Sequence, residues 1–366
     1  MIDLDKPKEQ TLIVVAMSGG VDSSTVAAML HAEGYRVVGV TLQLYDHGAA
    51  IGKKGACCAG QDIYDARTVA DRLNIPHYVL DYESRFKESV ITKFADSYLR
   101  GETPLPCVEC NQSVKFNDLL QVAKNLGADG LATGHYVRKI KGKNGSELHT
   151  GIDLQKDQSY FLFATTLAQL DYIYFPLGNF TKQETRNIAA KYELITADKP
   201  DSQDICFVPD GNYRKIILDI KPEAACRGKI IHIDGFQIGE HTGIVNFTIG
   251  QRRGLGIAYQ EPLYVVKIDP LQQIVYVGPE SALMKVEFMV KDINWLEHFP
   301  LAEKIEVAIK IRSTRPRTLA WVTKTSDFIA KVTLMTPEKA VTPGQACVLY
   351  QQERVLGGGW ITNEIF

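Results

Sequence analysis

Long apolar runs are missing from this 366-residue sequence: nowhere do about 18 apolar residues follow one another, which excludes a membrane-spanning helix. An excess of charge is missing too. With 41 Lys and Arg against 43 Asp and Glu, the net charge is −2, so no overall positive field draws the chain onto nucleic acid or an anionic membrane. Any such binding must use local patches. Cysteine is sparse and odd in number, seven in a long chain, unlike the dense framework of a secreted disulfide scaffold. The first ten residues carry Asp3, Asp5 and Glu9 ahead of the short apolar run 12–17, the wrong charge and length for an export signal. Repeats, heptads and low-complexity tracts are also lacking. These absences predict a cytoplasmic protein with reduced thiols and no membrane partner.

What is present is a chain 45% hydrophobic and 23% charged, enough at roughly 100–200 residues per domain for two or three globular units. Residues 11–17 form a continuous apolar run suited to a strand buried on both faces; 22–33 has helical spacing of Val26, Met29 and Leu30; 36–42 is β-branched again. That is a βαβ unit. Helical pattern at 62–73, 83–99 and 111–126, with strand-like 77–80 and 130–133, extends it to a doubly wound parallel sheet. Thr181 followed by Glu184 marks the start of a helix over 181–192. Beyond about residue 212 glycines and short alternating runs take over, at 229–233, 263–268, 274–277, 305–311, 319–323, 328–334 and 346–350. The expected architecture is α/β over 1–212, a small central β-rich domain over 213–280, and a C-terminal antiparallel β-barrel over 281–366.

The segment Ser18-Gly19-Gly20-Val21-Asp22-Ser23-Ser24 falls between the first strand and the first helix. Two glycines let the backbone turn tightly against a ligand, and the helix beyond offers unpaired N–H groups to an anion. It is neither a Walker A loop nor a dinucleotide fingerprint, having no Lys-Ser/Thr after a second glycine and no third spaced glycine. An ordinary turn with an N-cap is the bland alternative. Three cysteines also stand apart: Cys107 and Cys110 in Pro104-Leu105-Pro106-Cys107-Val108-Glu109-Cys110-Asn111, and Cys206 in Asp201-Ser202-Gln203-Asp204-Ile205-Cys206-Phe207. A Cys-x-x-Cys at the start of a helix running from Asn111 would have its thiol pKa lowered by the dipole. Cys57, Cys58, Cys226 and Cys347 read as small buried packing residues.

The loop resembles the pyrophosphate loop of the ATP-pyrophosphatase superfamily. That likeness implies that Ala16, Met17, Ser18, Gly19, Gly20, Val21, Asp22 and Ser23 grip ATP, that Asp22 helps hold Mg2+, and that Leu42 and Gly134 lie around the adenosine. Taken with Cys110-Asn111 before Val114-Lys115-Phe116, Ala132-Thr133-Gly134-His135-Tyr136, Lys156-Asp157-Gln158-Ser159-Tyr160-Phe161, 201–207, 248–257 and Thr342-Pro343-Gly344-Gln345, the sequence resembles the tRNA-specific 2-thiouridylases from about residue 12 to 360. These replace O2 of the wobble uridine by sulfur, using ATP. The resemblance implies that Cys206 carries a persulfide received from a sulfur-relay protein or cysteine desulfurase, and that Cys110 attacks it, leaving a disulfide that needs external reductant.

In one place the sequence departs from that family. Many members carry Asp in a Pro-Asn-Pro-Asp-x-x-Cys context where this chain has Cys107, so a carboxylate assigned acid or base work is absent and Glu109 is wrongly spaced to replace it. Cys107, Cys110 and Cys206 instead raise the expectation of a 4Fe–4S cluster. The resemblance places tRNA contacts at His135, Lys156, Asp157, Gln158, Arg312, Ser313 and Gln345, with Leu105, Pro106 and Cys107 beside a flipped target base. Tyr136 and Tyr160 are candidate walls for that base, whereas Phe161 reads as core. Lys310, Arg312, Arg315, Arg317 and Lys324 make one basic patch without acidic neighbours, Arg252-Arg253 a second, and 138–143 a third. A small-molecule amide or amidine synthetase explains the loop but leaves the cysteines unused, and a non-catalytic RNA-binding module leaves both unused.

Overall fold

A computed structural model describes residues 2, 4–45, 58–201, 205–208, 211–302 and 304–364, without the side chains of residues 58 and 59. Cys57 and three residues of the Cys206 motif, Ser202, Gln203 and Asp204, lie outside the described residues. The chain forms two compact units. One takes the chain up to Ser89, Cys107–Phe207 and Glu353–Val355; the other takes Val90–Pro106, Val208–Gln352 and the chain from Leu356.

In the first unit, β1 (Leu12–Ala16), α1 (Val21–Ala32), β2 (Arg36–Gln43), α2 (Cys58–Arg72) and β3 (His77–Asp81) follow in turn. With β4 (Gly130–Ala132) and the short β7 (Ile173–Tyr174), the strands form one parallel sheet of order β3-β2-β1-β4-β7. Ile13, Val14 and Val15 are fully buried, as a strand covered on both faces requires, and each such side chain contributes about 1.5–3 kcal/mol on burial. The order reverses at β1: its helix connection leads to β2 on one side, while β4 lies on the other. Ligands of such sheets bind outside the carboxyl ends of the strands at this switch, where residues 17–20 leave β1 and residues 133–136 leave β4. Sequence reading took 138–143 only as a basic patch and did not foresee the hairpin of β5 (Val137–Gly142) and β6 (Gly145–Thr150).

The two helices expected over 83–99 and 111–126 form, but neither is purely α. Each carries a π-helical stretch, Lys87–Thr92 and Cys110–Asp118. The second helical run also begins earlier than Asn111, at Pro106, whose missing N–H suits a first helical position.

The second unit holds a four-stranded sheet of order β10-β11-β8-β9, from β8 (Gly228–His232), β9 (Gln237–His241), β10 (Tyr264–Asp269) and β11 (Ile274–Gly278). After it, β12 (Met284–Trp295), β13 (Lys304–Lys310), β14 (Thr318–Lys324), β15 (Ala330–Lys339), β16 (Ala346–Gln351) and β17 (Arg354–Thr362) run in the order β12-β15-β14-β13-β16-β17. Antiparallel pairing of β12 with β17 closes this sheet into a six-stranded barrel. Ile309, Ala320, Ala330, Cys347 and Val332 fill its interior. Cys347 is thus a packing thiol, as expected; Cys226 is exposed, which corrects its reading as buried.

Candidate active site

The phosphate loop is ordered by its own residues. The Ser18 backbone N–H donates to Ser23 Oγ at 3.1 Å, and the two hydroxyl oxygens lie 3.3 Å apart. Gly19 has φ +73°, and a Cβ there would stand 2.1 Å from the Asp62 carbonyl oxygen. Only glycine fits. At the facing turn, a Cβ on Gly134 would come within 2.9 Å of Asp22 Cβ and Ser23 N, so the β4 turn closes directly on the start of α1. Met17 extends β1, its N–H donating to Val40 O at 2.9 Å and its carbonyl accepting from Thr41 Oγ1 at 2.7 Å. Leu42 is half-buried at the end of β2.

Around this loop lies a network that sequence reading missed. Lys182 Nζ donates to both Asp22 oxygens, at 2.7 and 2.8 Å, and pairs with Asp201 at 2.8 Å. Lys156 reaches the other Asp201 oxygen at 2.7 Å, and Arg186 adds a contact at 3.1 Å. Burial alone would raise the Asp201 pKa, but the hydrogen bonds and charges of Lys156 and Lys182 outweigh it and hold the carboxyl at about 2. Tyr136 donates to Asp22 at 2.8 Å. Lys199 Nζ bridges Asp62 and Asp65 and donates to the Gly19 carbonyl at 3.0 Å. Two ammonium groups, Lys182 and Lys199, therefore touch the loop and the first turn of α1, with Lys156 and Arg186 behind Lys182 on Asp201. Asp22, at the start of α1, is the carboxylate that Lys182 and Tyr136 hold beside the loop.

The three singled-out cysteines come together in the first unit. Burial pushes the Cys206 thiol up to about 12, reinforced by Cys110 and Cys107 and opposed by Lys115 and a hydrogen bond with Tyr45. Phe207 packs edge-on against Phe86 at 5.8 Å, and Tyr45 lies 6.0 Å from the same ring, anchoring the Cys206 turn. Cys110 is buried, whereas Cys107 and Cys206 reach solvent through surrounding protein. Burial raises Cys107 and Cys110 as well, and Lys115 opposes it in both. The expected lowering by a helix dipole is therefore corrected: with the helix starting at Pro106, Cys110 lies past the first turn, where desolvation dominates. Among the described residues no group of three His, Cys, Asp or Glu side chains is placed to hold a metal ion. The expected 4Fe–4S cluster has no support here.

Most residues expected to touch tRNA are engaged within the protein. His135 is held by Thr133 Oγ1 at 2.8 Å and by the Phe116 ring; burial and the Lys115 charge lower its pKa to about 3, so the ring is neutral. Asp157 accepts from Gly151 N, Ser159 N and Ser159 Oγ, and Gln158 Oε1 accepts from Tyr136 N at 2.9 Å. These two brace the turn that carries Tyr136. Tyr160 is fully buried and Phe161 half-buried, the reverse of the roles expected for them. In the second unit Leu105 is half-buried, Pro106 buried, and Gln345 Nε2 donates to Thr103 O at 2.8 Å. Arg312 donates to Ala340 O at 2.7 Å and Thr342 Oγ1 at 3.1 Å, with Ser313 half-buried beside it. The basic patch around it is smaller than expected. Lys324 is buried, paired with Asp327 at 2.9 Å and set over the Trp295 ring, and Arg317 stacks 3.7 Å from the Tyr350 ring.

Comparison with known proteins places this geometry. Residues 11–210 match the family pattern described as tRNA methyl transferase HUP domain, 215–279 a tRNA methyl transferase PRC-barrel domain, and 285–361 an aminomethyltransferase beta-barrel domain. Curated proteins named tRNA-specific 2-thiouridylase MnmA are 69% identical in Rickettsia canadensis, over 98% of this chain and 97% of that one, and 68% identical in Rickettsia conorii, over 98% and 97%. A solved 4-thiouridine synthetase–RNA complex with bound ATP is 15% identical with a TM-score of 0.37, over 58% of this chain and 52% of that one, and adds nothing to this. Identity of this order along nearly the whole length, with the three domains in sequence, is kinship and not merely a shared fold: the chain belongs to the tRNA-specific 2-thiouridylase family.

Proposed function

We propose that this chain thiolates C2 of the wobble uridine in tRNA, converting O2 to an adenylate with ATP and displacing AMP with sulfur. ATP-dependent tRNA thiolation is the activity of the family; the assignment of steps to residues is our own. The observation that carries it is the joint presence, in one unit, of a phosphate loop flanked by Lys182 and Lys199 and of three neighbouring thiols. A small-molecule amide or amidine synthetase would need only the first.

A uridine carbonyl oxygen is a poor leaving group, so O2 first attacks the α-phosphorus of ATP and pyrophosphate departs. The backbone N–H groups at the start of α1, with Lys182 and Lys199, stand where charge develops on that leaving group. Asp22 would hold Mg2+, which supplies charge neutralisation on the phosphates. Ala16, Met17, Ser18, Gly20, Val21, Leu42 and Gly134 shape the ATP seat. Cys206 then presents a persulfide, delivered by a sulfur-relay protein or a cysteine desulfurase. The Cys110 thiolate attacks its inner sulfur, forming a Cys110–Cys206 disulfide and releasing hydrosulfide, which adds to C2 and expels AMP. Leu105, Pro106 and neutral His135 are proposed neighbours of the base, and Lys156, Arg312, Ser313 and Gln345 of the tRNA; Asp157 and Gln158 position the turn they brace.

The test is nucleoside mass spectrometry of tRNA from a strain lacking this gene. Loss of 2-thiouridine derivatives is expected, with restoration by the wild-type gene and less than a hundredth of it by Cys206→Ser. Unchanged 2-thiouridine in the deletion strain overturns the function; full restoration by Cys206→Ser overturns the persulfide assignment.

A further inference from the structure

The reaction so far leaves Cys107 without work and ends with Cys206, the thiol that must take up the next sulfur, tied up in the Cys110–Cys206 disulfide. Cys110 is 7% exposed. A reductant must approach a disulfide sulfur in line; the Cys110 sulfur is closed to it, so in this disulfide only the Cys206 sulfur is open to attack. Cys107 reaches solvent. It sits three residues before Cys110 on one helical run, Pro106–Glu109 continuing into Cys110–Asp118, and side chains three apart on a helix are neighbours at about 5–6 Å. A disulfide needs its Cβ atoms about 3.5–4.5 Å apart, so the bridge requires this first turn of the run to tighten locally by about 1–2 Å. Val108, between them, is fully buried and keys the helix in place, so that one thiol of the pair faces inward and the other outward. Cys107 also lies close enough to Cys206 for their charges to interact.

We propose that Cys107 is a resolving thiol, which attacks the Cys110 sulfur of the Cys110–Cys206 disulfide and moves the oxidation off Cys206 to a Cys107–Cys110 disulfide whose Cys107 sulfur is open to a dithiol reductant. This rests on the roles proposed above for Cys110 and Cys206. In the exchange the Cys107–Cys110 bond forms as the Cys110–Cys206 bond breaks, and the proton lost by Cys107 is regained by the departing Cys206. No net oxidation occurs in this step; the oxidising equivalent came from the sulfane sulfur, reduced to sulfide when Cys110 attacked. A dithiol of the thioredoxin class then attacks the Cys107 sulfur, leaves as its own disulfide, and returns both thiols. Cys206 is meanwhile free to accept its next sulfur before Cys110 has been reduced. Cys107 thus has chemistry of its own.

The test is a disulfide map after one turnover. Full-length reduced protein is charged with sulfur by a cysteine desulfurase and cysteine, desalted, and given ATP, Mg2+ and one equivalent of unmodified tRNA transcript under argon. Acid quenching, alkylation and non-reducing peptide mass spectrometry follow. The wild type is expected to show a Cys107–Cys110 disulfide with Cys206 alkylated, and Cys107→Ser a trapped Cys110–Cys206 disulfide. In the variant, the ratio of second-turnover to first-turnover product with thioredoxin as reductant is expected to fall at least tenfold. A wild-type map showing Cys110–Cys206 with Cys107 alkylated overturns the resolving role and leaves the Cys110 and Cys206 assignments standing. Thiolated tRNA formed with all three cysteines alkylated overturns both.

Discussion

Lys115 acts on four groups at once. In Cys107, Cys110 and Cys206 burial is the largest influence and raises the thiol, with Lys115 working against it; in His135 burial and Lys115 both lower the pKa. A single ammonium therefore favours the thiolates and keeps the neighbouring imidazole neutral. Lys115→Met is expected to push the thiols further up and let His135 rise from about 3. Since alkylation follows the thiolate fraction, iodoacetamide labelling of Cys107 and Cys206 at pH 8 should slow about threefold to tenfold, with Lys115→Arg restoring the rate. Unchanged labelling with an unchanged His135 titration would remove Lys115 as the source of the field. The motif around Cys110 contained this lysine, but sequence alone gave no reason to choose it, because its four targets lie up to 91 residues away along the chain.

At the scale of elements, what is local was legible and what depends on sheet order was not. Thr181 and Glu184 are three residues apart, and the capping box they predict forms, with Thr181 N donating to Glu184 Oε2 at 2.7 Å. That cap starts the helix Lys182–Lys191 and so sets Lys182 at its first position. Its partner Asp22, 160 residues away, could not be read, because the contact exists only once β1 and β4 are adjacent. The π-helical stretches were equally hidden, since hydrophobic spacing over nine residues does not separate them from α-helix. The Asp201 cluster shows what such long-range pairing does to stability. Its folded pKa of about 2 lies below the ordinary 3.8, so its contribution is fully present above about pH 4 and disappears as pH falls through 2. The difference in urea midpoint between wild type and Asp201→Asn is therefore expected to be large at pH 6 and to shrink toward zero near pH 2. A difference independent of pH would mean that the charge of Asp201 is not what holds Lys156, Lys182 and Arg186.

For the whole molecule, a net charge of −2 and a polyanionic substrate leave little basic surface to spend, and the fold directs part of it inward. Lys324 lies in the barrel against Trp295 and Asp327, Arg317 on the Tyr350 ring, and Arg312 on the Ala340 carbonyl. Spacing in the sequence suggested one continuous patch because strand neighbours alternate faces, and a count of lysines and arginines does not record which face each takes. Exposed Arg252, Arg253 and Arg315 remain as the strongest candidates for phosphate contact. Each such contact lowers the slope of log K against log salt by about 0.7–0.9. The triple variant Arg252→Gln, Arg253→Gln, Arg315→Gln is expected to flatten that slope for tRNA binding by about 2, while Lys324→Met leaves it unchanged and shifts thermal stability alone. Filter binding between 50 and 300 mM KCl distinguishes the two, because a buried cation contributes to folding but releases no counterion from the nucleic acid. An unchanged slope in the triple variant would place the phosphate contacts elsewhere on the molecule, and a flattened one in Lys324→Met would show that this lysine leaves the barrel when tRNA binds.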